Sequence, residues 1–147
     1  MTTPLLEVRG LAKHYPVGSG WFGQQRLVKA VDGVSFSVNA GETLALVGES
    51  GCGKTTTGKS VLRLIEPTAG EIMFAGQDLM RLSSQAMRER RRDLQFVFQD
   101  PYSSLNPKLS AGAAVQEPLD NFSSESKAQR RERVAQLFER VDRKSVV

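Results

Sequence analysis

The stretch Gly48-Glu49-Ser50-Gly51-Cys52-Gly53-Lys54-Thr55-Thr56 decides how the rest of the chain is read. It has the form G-x-x-x-x-G-K-[S/T], in which glycines turn the backbone so that successive N–H groups face a phosphate chain. Lys54 supplies a mobile ammonium for the outer phosphates, and the Thr55 hydroxyl is suited to ligate Mg²⁺. Chance alone yields this pattern in roughly one chain of this length in a few hundred, so its flanks matter. Before it, Thr43 to Val47 is a short, mostly apolar run between Gly41 and Gly48. That run predicts a strand buried on both faces of a parallel sheet. After it, Lys54 to Ile65 has helical spacing, and Pro67 stops it. A helix starting at Lys54 adds the positive end of its dipole to the loop. Strand, glycine loop and helix in that order are the context a phosphate-binding loop needs.

Working outward, Leu5–Tyr15 and Val28–Val38 read as strands. The second has a period of two, with Val34, Phe36 and Val38 on one face and Ser35 and Ser37 on the other. Between them, residues 16–26 form a glycine-rich polar loop around Trp21 and Phe22. Downstream, Glu71–Ala75 and Leu94–Phe98 read as short strands, and Ser83 or Ser84 caps a helix reaching about Arg92. Residues 100–107 form a loop and Ala111–Leu119 a short helix. Ser126 and Gln129 have capping-box spacing ahead of a helix whose Val134, Leu137, Phe138 and Val141 share one face.

Composition narrows the class. At 147 residues, 39% hydrophobic and 24% charged, the chain is sized and balanced for a soluble globular domain. Apolar runs stop at four residues, far short of the roughly 18–20 of a membrane-spanning helix. The opening residues predict no secretory signal, which points to a cytosolic protein. One cysteine and one histidine cannot form an internal disulfide or a zinc site. The net charge is +4, part of it in Arg88, Arg90, Arg91 and Arg92. No aromatic residues interleave with these arginines, which counts against a stacking platform for single strands. Cys52 lies in the loop without a general base nearby in sequence. It reads as a non-catalytic residue whose alkylation blocks nucleotide binding. His14 reads as a surface residue beside Tyr15.

These residues together resemble the ATP-binding subunits of ABC transporters. Leu11-Ala12-Lys13-His14-Tyr15 is similar to the family's A-loop, Gly48–Thr56 to its Walker A segment, and Leu94–Pro101 to the strand and Q-loop. Phe98–Pro107, Val47–Lys54 and Lys29–Phe36 are similar to the dipeptide and oligopeptide importer branch, which includes nickel and glutathione importers. The resemblance implies a P-loop NTPase (RecA-like) α/β core with an antiparallel β-subdomain and the start of a helical subdomain. It implies ATP bound by Tyr15, Gly48, Glu49, Ser50, Gly51, Cys52, Gly53, Lys54, Thr55, Thr56 and Gln99, with Tyr15 stacked on adenine. It implies Mg²⁺ at Thr55 and Gln99. Membrane permease subunits, a second ATP-binding subunit in a homo- or heterodimer, and indirectly a solute-binding protein are the implied partners; nucleic acid is not. The implied location is peripheral, on the cytoplasmic face of the plasma membrane.

The chain also departs from that pattern. It contains no Walker B segment with its catalytic Glu, no LSGGQ signature, no D-loop and no switch histidine. In the family these follow the Q-loop, so residues 1–141 are expected to be the N-terminal part of an ABC-type nucleotide-binding domain without turnover. Residues 142–147 read as the translation of a sequencing adapter and are expected to be a non-native tail. Two other readings stand beside this one. A small GTPase or nucleotide kinase is disfavoured because neither D-x-x-G nor N-K-x-D occurs. A nucleotide-binding, nucleic-acid or protein-interaction fragment without turnover is the alternative, distinguished by the salt dependence of DNA binding.

Overall fold

The computed structural model describes residues 3–18, 26–100 and 105–141. The chain divides into two units, residues 1–96 and 97–147. The first begins with two long strands, β1 (Leu6–Val17) and β2 (Arg26–Val38). They pair antiparallel, and β1 pairs on its other edge with β3 (Ala69–Phe74), which continues into β4 (Gln77–Asp78). The sheet order is β2-β1-β3-β4, so β1 is central.

Bulges set which side chains of β1 and β2 turn inward. Val8 faces Phe36 and Leu11 faces Val34, so three residues of β1 span two of β2. That extra residue puts both Val8 and Leu11 into the core, where alternation would have turned one outward. Further along, Lys13 pairs with Val31 and His14 with Lys29, leaving Ala30 as an extra residue in β2. Between Leu11 and Lys13, β2 gains a residue again, which puts Val31 and Val34 on the core side although they are three apart. The expected face of Val34, Phe36 and Val38 is present, with all three half-buried and Ser35 and Ser37 exposed.

The core of this unit is Val8, Leu11, Val31, Val61, Ile72, Leu79 and Met87. Helix α1 (Lys54–Val61) supplies Val61, the 3-10 turn at Leu79–Arg81 supplies Leu79, and α2 (Ser84–Arg90) supplies Met87. Ser83 caps α2 by accepting from the Ala86 N–H at 3.2 Å, as its sequence position predicts. Both helices are shorter than expected. Helix α1 ends at Val61, before Ile65, because Arg63 takes a left-handed φ of 48°. Its guanidinium then reaches the Leu79 and Leu82 carbonyls at 2.6 and 3.1 Å. Helix α2 ends at Arg90 as its last turn tightens into Arg92–Glu89 and Asp93–Arg90 bonds.

Two expected strands do not form. Among the described residues no strand pairs with residues 43–47 or 94–98. Leu44 and Leu46 are each 43% exposed and Val47 is 89% exposed, the reverse of the doubly buried strand their composition suggested. An apolar run becomes a buried parallel strand only with a neighbour on each side and helices over both faces. The sheet described here is antiparallel and does not include it. Leu94 packs on the first unit's core and Phe96 on Gly58, so the 94–96 segment is held by side chains without a ladder.

The second unit is a helical hairpin. Helix α3 (Ala111–Phe122) is capped by Ser110, which accepts from the Ala113 N–H. Helix α4 (Lys127–Arg140) starts at the expected capping box, where the Ser126 side chain accepts from the Gln129 N–H and the Gln129 side chain accepts from the Ser126 N–H. Arg130 pairs with Asp120 across the two helices. Val134 is buried and Phe138 half-buried, whereas Leu137 and Val141 are exposed, so the predicted apolar face is only half used within this unit. Trp21, Phe22 and the 142–147 tail lie outside the described residues.

Exposed apolar residues without a sheet partner invite association between chains. The chain is therefore expected to associate in solution, and the double variant Leu46→Ser, Val47→Asp to raise its monomer fraction. Size-exclusion chromatography over a concentration series reads this; an unchanged elution profile would contradict it.

Candidate functional site

The loop of residues 48–53 runs into α1, and Gly53 is the last residue before the helix. Gly53 has φ of 94°, which L side chains rarely adopt. A Cβ added there would lie 2.2 Å from the Ala30 carbonyl oxygen, so the loop rests directly on the bulge of β2. The first backbone bond of the helix runs from the Thr57 N–H to the Gly53 carbonyl at 2.8 Å. By helix geometry, the N–H groups of Lys54, Thr55 and Thr56 have no acceptor within α1. The Thr57 hydroxyl also donates to the Gly53 carbonyl, at 3.0 Å, and fixes the turn from inside.

The Lys54 ammonium folds back over the loop. Its Nζ donates to the Gly48 carbonyl at 2.8 Å and the Glu49 carbonyl at 2.7 Å, with Cys52 Sγ at 3.5 Å. Among the described residues, the cation is thus held at the loop by neutral acceptors. An anion arriving there offers it a stronger, charge-assisted bond. Cys52 is exposed, and its Sγ lies 2.6 Å from where a Cβ on Gly48 would be, so its thiol lines the loop. Thr55 is exposed and Thr56 half-buried.

The bulge that seats the loop also fixes its distance from Tyr15. Val28, which pairs with Tyr15, is two residues from Ala30, about 7 Å along β2. Tyr15 is half-buried on β1, one strand over. His14 is less of a surface residue than expected. Its ring nitrogen lies 3.0 Å from Asp32, and Lys29 reaches the other Asp32 oxygen at 3.1 Å. Hydrogen bonds from Lys29 and then His14 hold the Asp32 carboxyl below the usual carboxylate range. Tyr15 and the loop from Gly48 to Thr56 thus belong to one unit. Gln99 is exposed and belongs to the other. Sequence reasoning passed over Ala30 and Lys13, described below; the one available signal was the broken alternation between Val28 and Val34.

The profile of the ABC transporter family matches residues 31–147. The chain belongs to this family. Among curated relatives, it is 49% identical over 142 residues to a probable peptide ABC transporter ATP-binding protein of Sinorhizobium fredii, covering 96% of this chain and 40% of the relative. It is 49% identical to the dipeptide transport ATP-binding protein DppF of Escherichia coli, covering 97% and 42%. It is 46% identical to the oligopeptide transport ATP-binding protein AppF of Bacillus subtilis, covering 93% and 42%. The chain therefore spans about two fifths of the length of these relatives. Its fold is similar to the ATP-binding cassette MJ0796, solved as a dimer in a post-hydrolysis state bound to ADP and Pi. The TM-score is 0.78 at 26% identity, over 93% of this chain and 57% of that one. The ABC cassette fold expected from sequence is thereby established, although the strands expected at 43–47 and 94–98 do not form.

Because this ABC chain seats its loop on the Ala30 carbonyl, Gly53→Ala is expected to push the loop off β2. The left-handed φ alone costs on the order of 1–3 kcal/mol. Limited proteolysis should then cut the 48–53 loop faster while the pattern of cuts elsewhere is unchanged. Equal cleavage in the variant would mean that the contact does not hold the loop.

Proposed function

We propose that this chain binds Mg²⁺-ATP as the nucleotide-binding part of a subunit that drives import of peptides or related small solutes. In this reading residues 1–141 are the N-terminal part of an ABC-type nucleotide-binding domain. The observation that carries it is the Lys54 ammonium held over a glycine loop at the start of a helix. The ammonium, the first-turn N–H groups that have no acceptor within the helix and the glycine backbone are donors at one loop, and among the described residues Lys54 bonds only neutral acceptors. Such a donor set fits a triphosphate. When bound, Mg²⁺-ATP supplies the phosphoanhydride and the charge that the loop meets.

Each residue has a stated task. Gly48, Glu49, Ser50, Gly51, Cys52 and Gly53 wrap the phosphates with backbone N–H groups. Lys54 leaves its carbonyl acceptors and binds the outer phosphates, while Thr55 and Thr56 offer hydroxyls at the first turn. Thr55 would hold Mg²⁺, and the family resemblance assigns Gln99 as a second ligand. Tyr15 stacks on the adenine. In this reading none of the residues assigned above is the base that activates water, so binding without turnover is expected.

The partners follow from the same reading. They are membrane permease subunits, a second ATP-binding subunit in a homo- or heterodimer, and a solute-binding protein acting through the permeases. In this reading the chain works peripherally on the cytoplasmic face of the membrane; no helix among the described residues is long and apolar enough to cross one.

Lys54→Ala is expected to weaken ATP binding on the order of 10- to 100-fold, the value of a hydrogen bond to a charged group. Calorimetric titration of wild type and variant reads this, and phosphate release should stay at background in both. Equal affinities would refute the site; turnover by the wild-type chain would refute the assignment of binding alone.

A further inference from the structure

Lys13 has a position that its sequence neighbours do not explain. Residues two apart on a strand share a face, and the Lys13 ammonium lies 4.9 Å from the centroid of the Tyr15 ring. The same Nζ donates to the Glu66 carbonyl at 2.8 Å. That carbonyl belongs to an anchored segment. The Arg63 guanidinium, only 14% exposed, holds the Glu66 carboxylate at 2.9 Å and the Leu79 and Leu82 carbonyls at its other nitrogen. Pro67 is buried, and Thr68 ties back to β1 three times: its N–H donates to the Ala12 carbonyl at 2.8 Å, its hydroxyl accepts from the His14 N–H at 2.9 Å, and the same hydroxyl donates to the His14 carbonyl at 3.4 Å. The ammonium is therefore fixed by the segment after α1, whatever the ring does.

We infer that Lys13 is a positioning residue for the nucleobase: it closes one face of the Tyr15 ring, so that a purine stacks on the other. This rests on the proposed role of Tyr15. The physical basis is twofold. An ammonium over an aromatic face is attracted by the ring quadrupole, which restrains the ring without a hydrogen bond to its hydroxyl. With one face occupied by a cation that cannot leave without breaking its bond to Glu66, a base has a single face to use. The cation also draws ring electron density toward itself, and the opposite face then better accepts an electron-rich purine. The expected effect is on the base, since Lys13 is held at the Tyr15 ring by its bond to the Glu66 carbonyl and the phosphates are met by the 48–56 loop.

The test separates base from phosphate. ATP and inorganic tripolyphosphate are titrated by calorimetry into the full chain and into Lys13→Met, Lys13→Arg and Tyr15→Ala. Lys13→Met should weaken ATP about three- to fivefold, the worth of one such contact, and leave tripolyphosphate unchanged. Lys13→Arg, which keeps the cation, should restore ATP affinity. Lys13→Met that leaves ATP unchanged while Tyr15→Ala weakens it overturns the inference alone, and the reading of Tyr15 survives. Lys13→Met that weakens both ligands equally also overturns it, because Lys13 then acts on the phosphates or on folding. If Tyr15→Ala leaves ATP unchanged, or the wild-type chain binds neither ligand, the proposed reading fails and takes the inference with it.

Discussion

The contact on which the site depends is a glycine against a carbonyl. Gly53 approaches Ala30 so closely that no side chain fits between them, and it does so at a backbone angle that favours glycine. This single approach sets where α1 begins. From that start follow the unpaired N–H groups of the first turn, the reach of Lys54 back over the loop, and the placement of Val61 in the core. Ala30 is the extra residue of a bulge in β2 and has no partner in the β1 register.

The same bulged stretch of sheet carries the residues around Tyr15. Lys13, His14 and Tyr15 on β1 face Val31, Lys29 and Val28 on β2, with the bulge between the first two pairs. Asp32, Lys29 and His14 tie the strands on one side, and Thr68 and Glu66 tie β1 to the segment after α1 on the other. The end of β1 is therefore held from two directions by polar contacts, where the core proper offers few apolar ones. Such exposed ties are individually weak, each on the order of 0–1 kcal/mol. They matter for orientation more than for stability.

Much of this was legible in the chain. The nine residues from Gly48 to Thr56 announce their loop because the backbone geometry needs glycine at set places and the helix start needs no partner beyond itself. Ser83, Ser110 and Ser126 mark helix starts for the same reason: each cap is a bond across three residues. The inner face of Val34, Phe36 and Val38 was readable where the strand is regular. It ceased to be readable at Val31 and Val28, where an added residue inverts the alternation. Thr43–Val47 misled in the opposite way, since its composition describes a strand with two neighbours and covered faces, and those are not in the described sheet.

By itself, then, the sequence determined what is local: the phosphate loop, the caps, the helices they start and the family these motifs mark. Their determinants lie within a few residues of one another, and short-range sterics and hydrogen bonding suffice to define them. Only the tertiary structure decided the rest. It placed Ala30 under Gly53, Glu66 beside Lys13, and Arg63 on the Leu79 and Leu82 carbonyls, and it left Leu44, Leu46 and Val47 exposed. Each of those facts depends on a partner distant in sequence, or on one not included in the sheet, and no local pattern encodes which partner will be there.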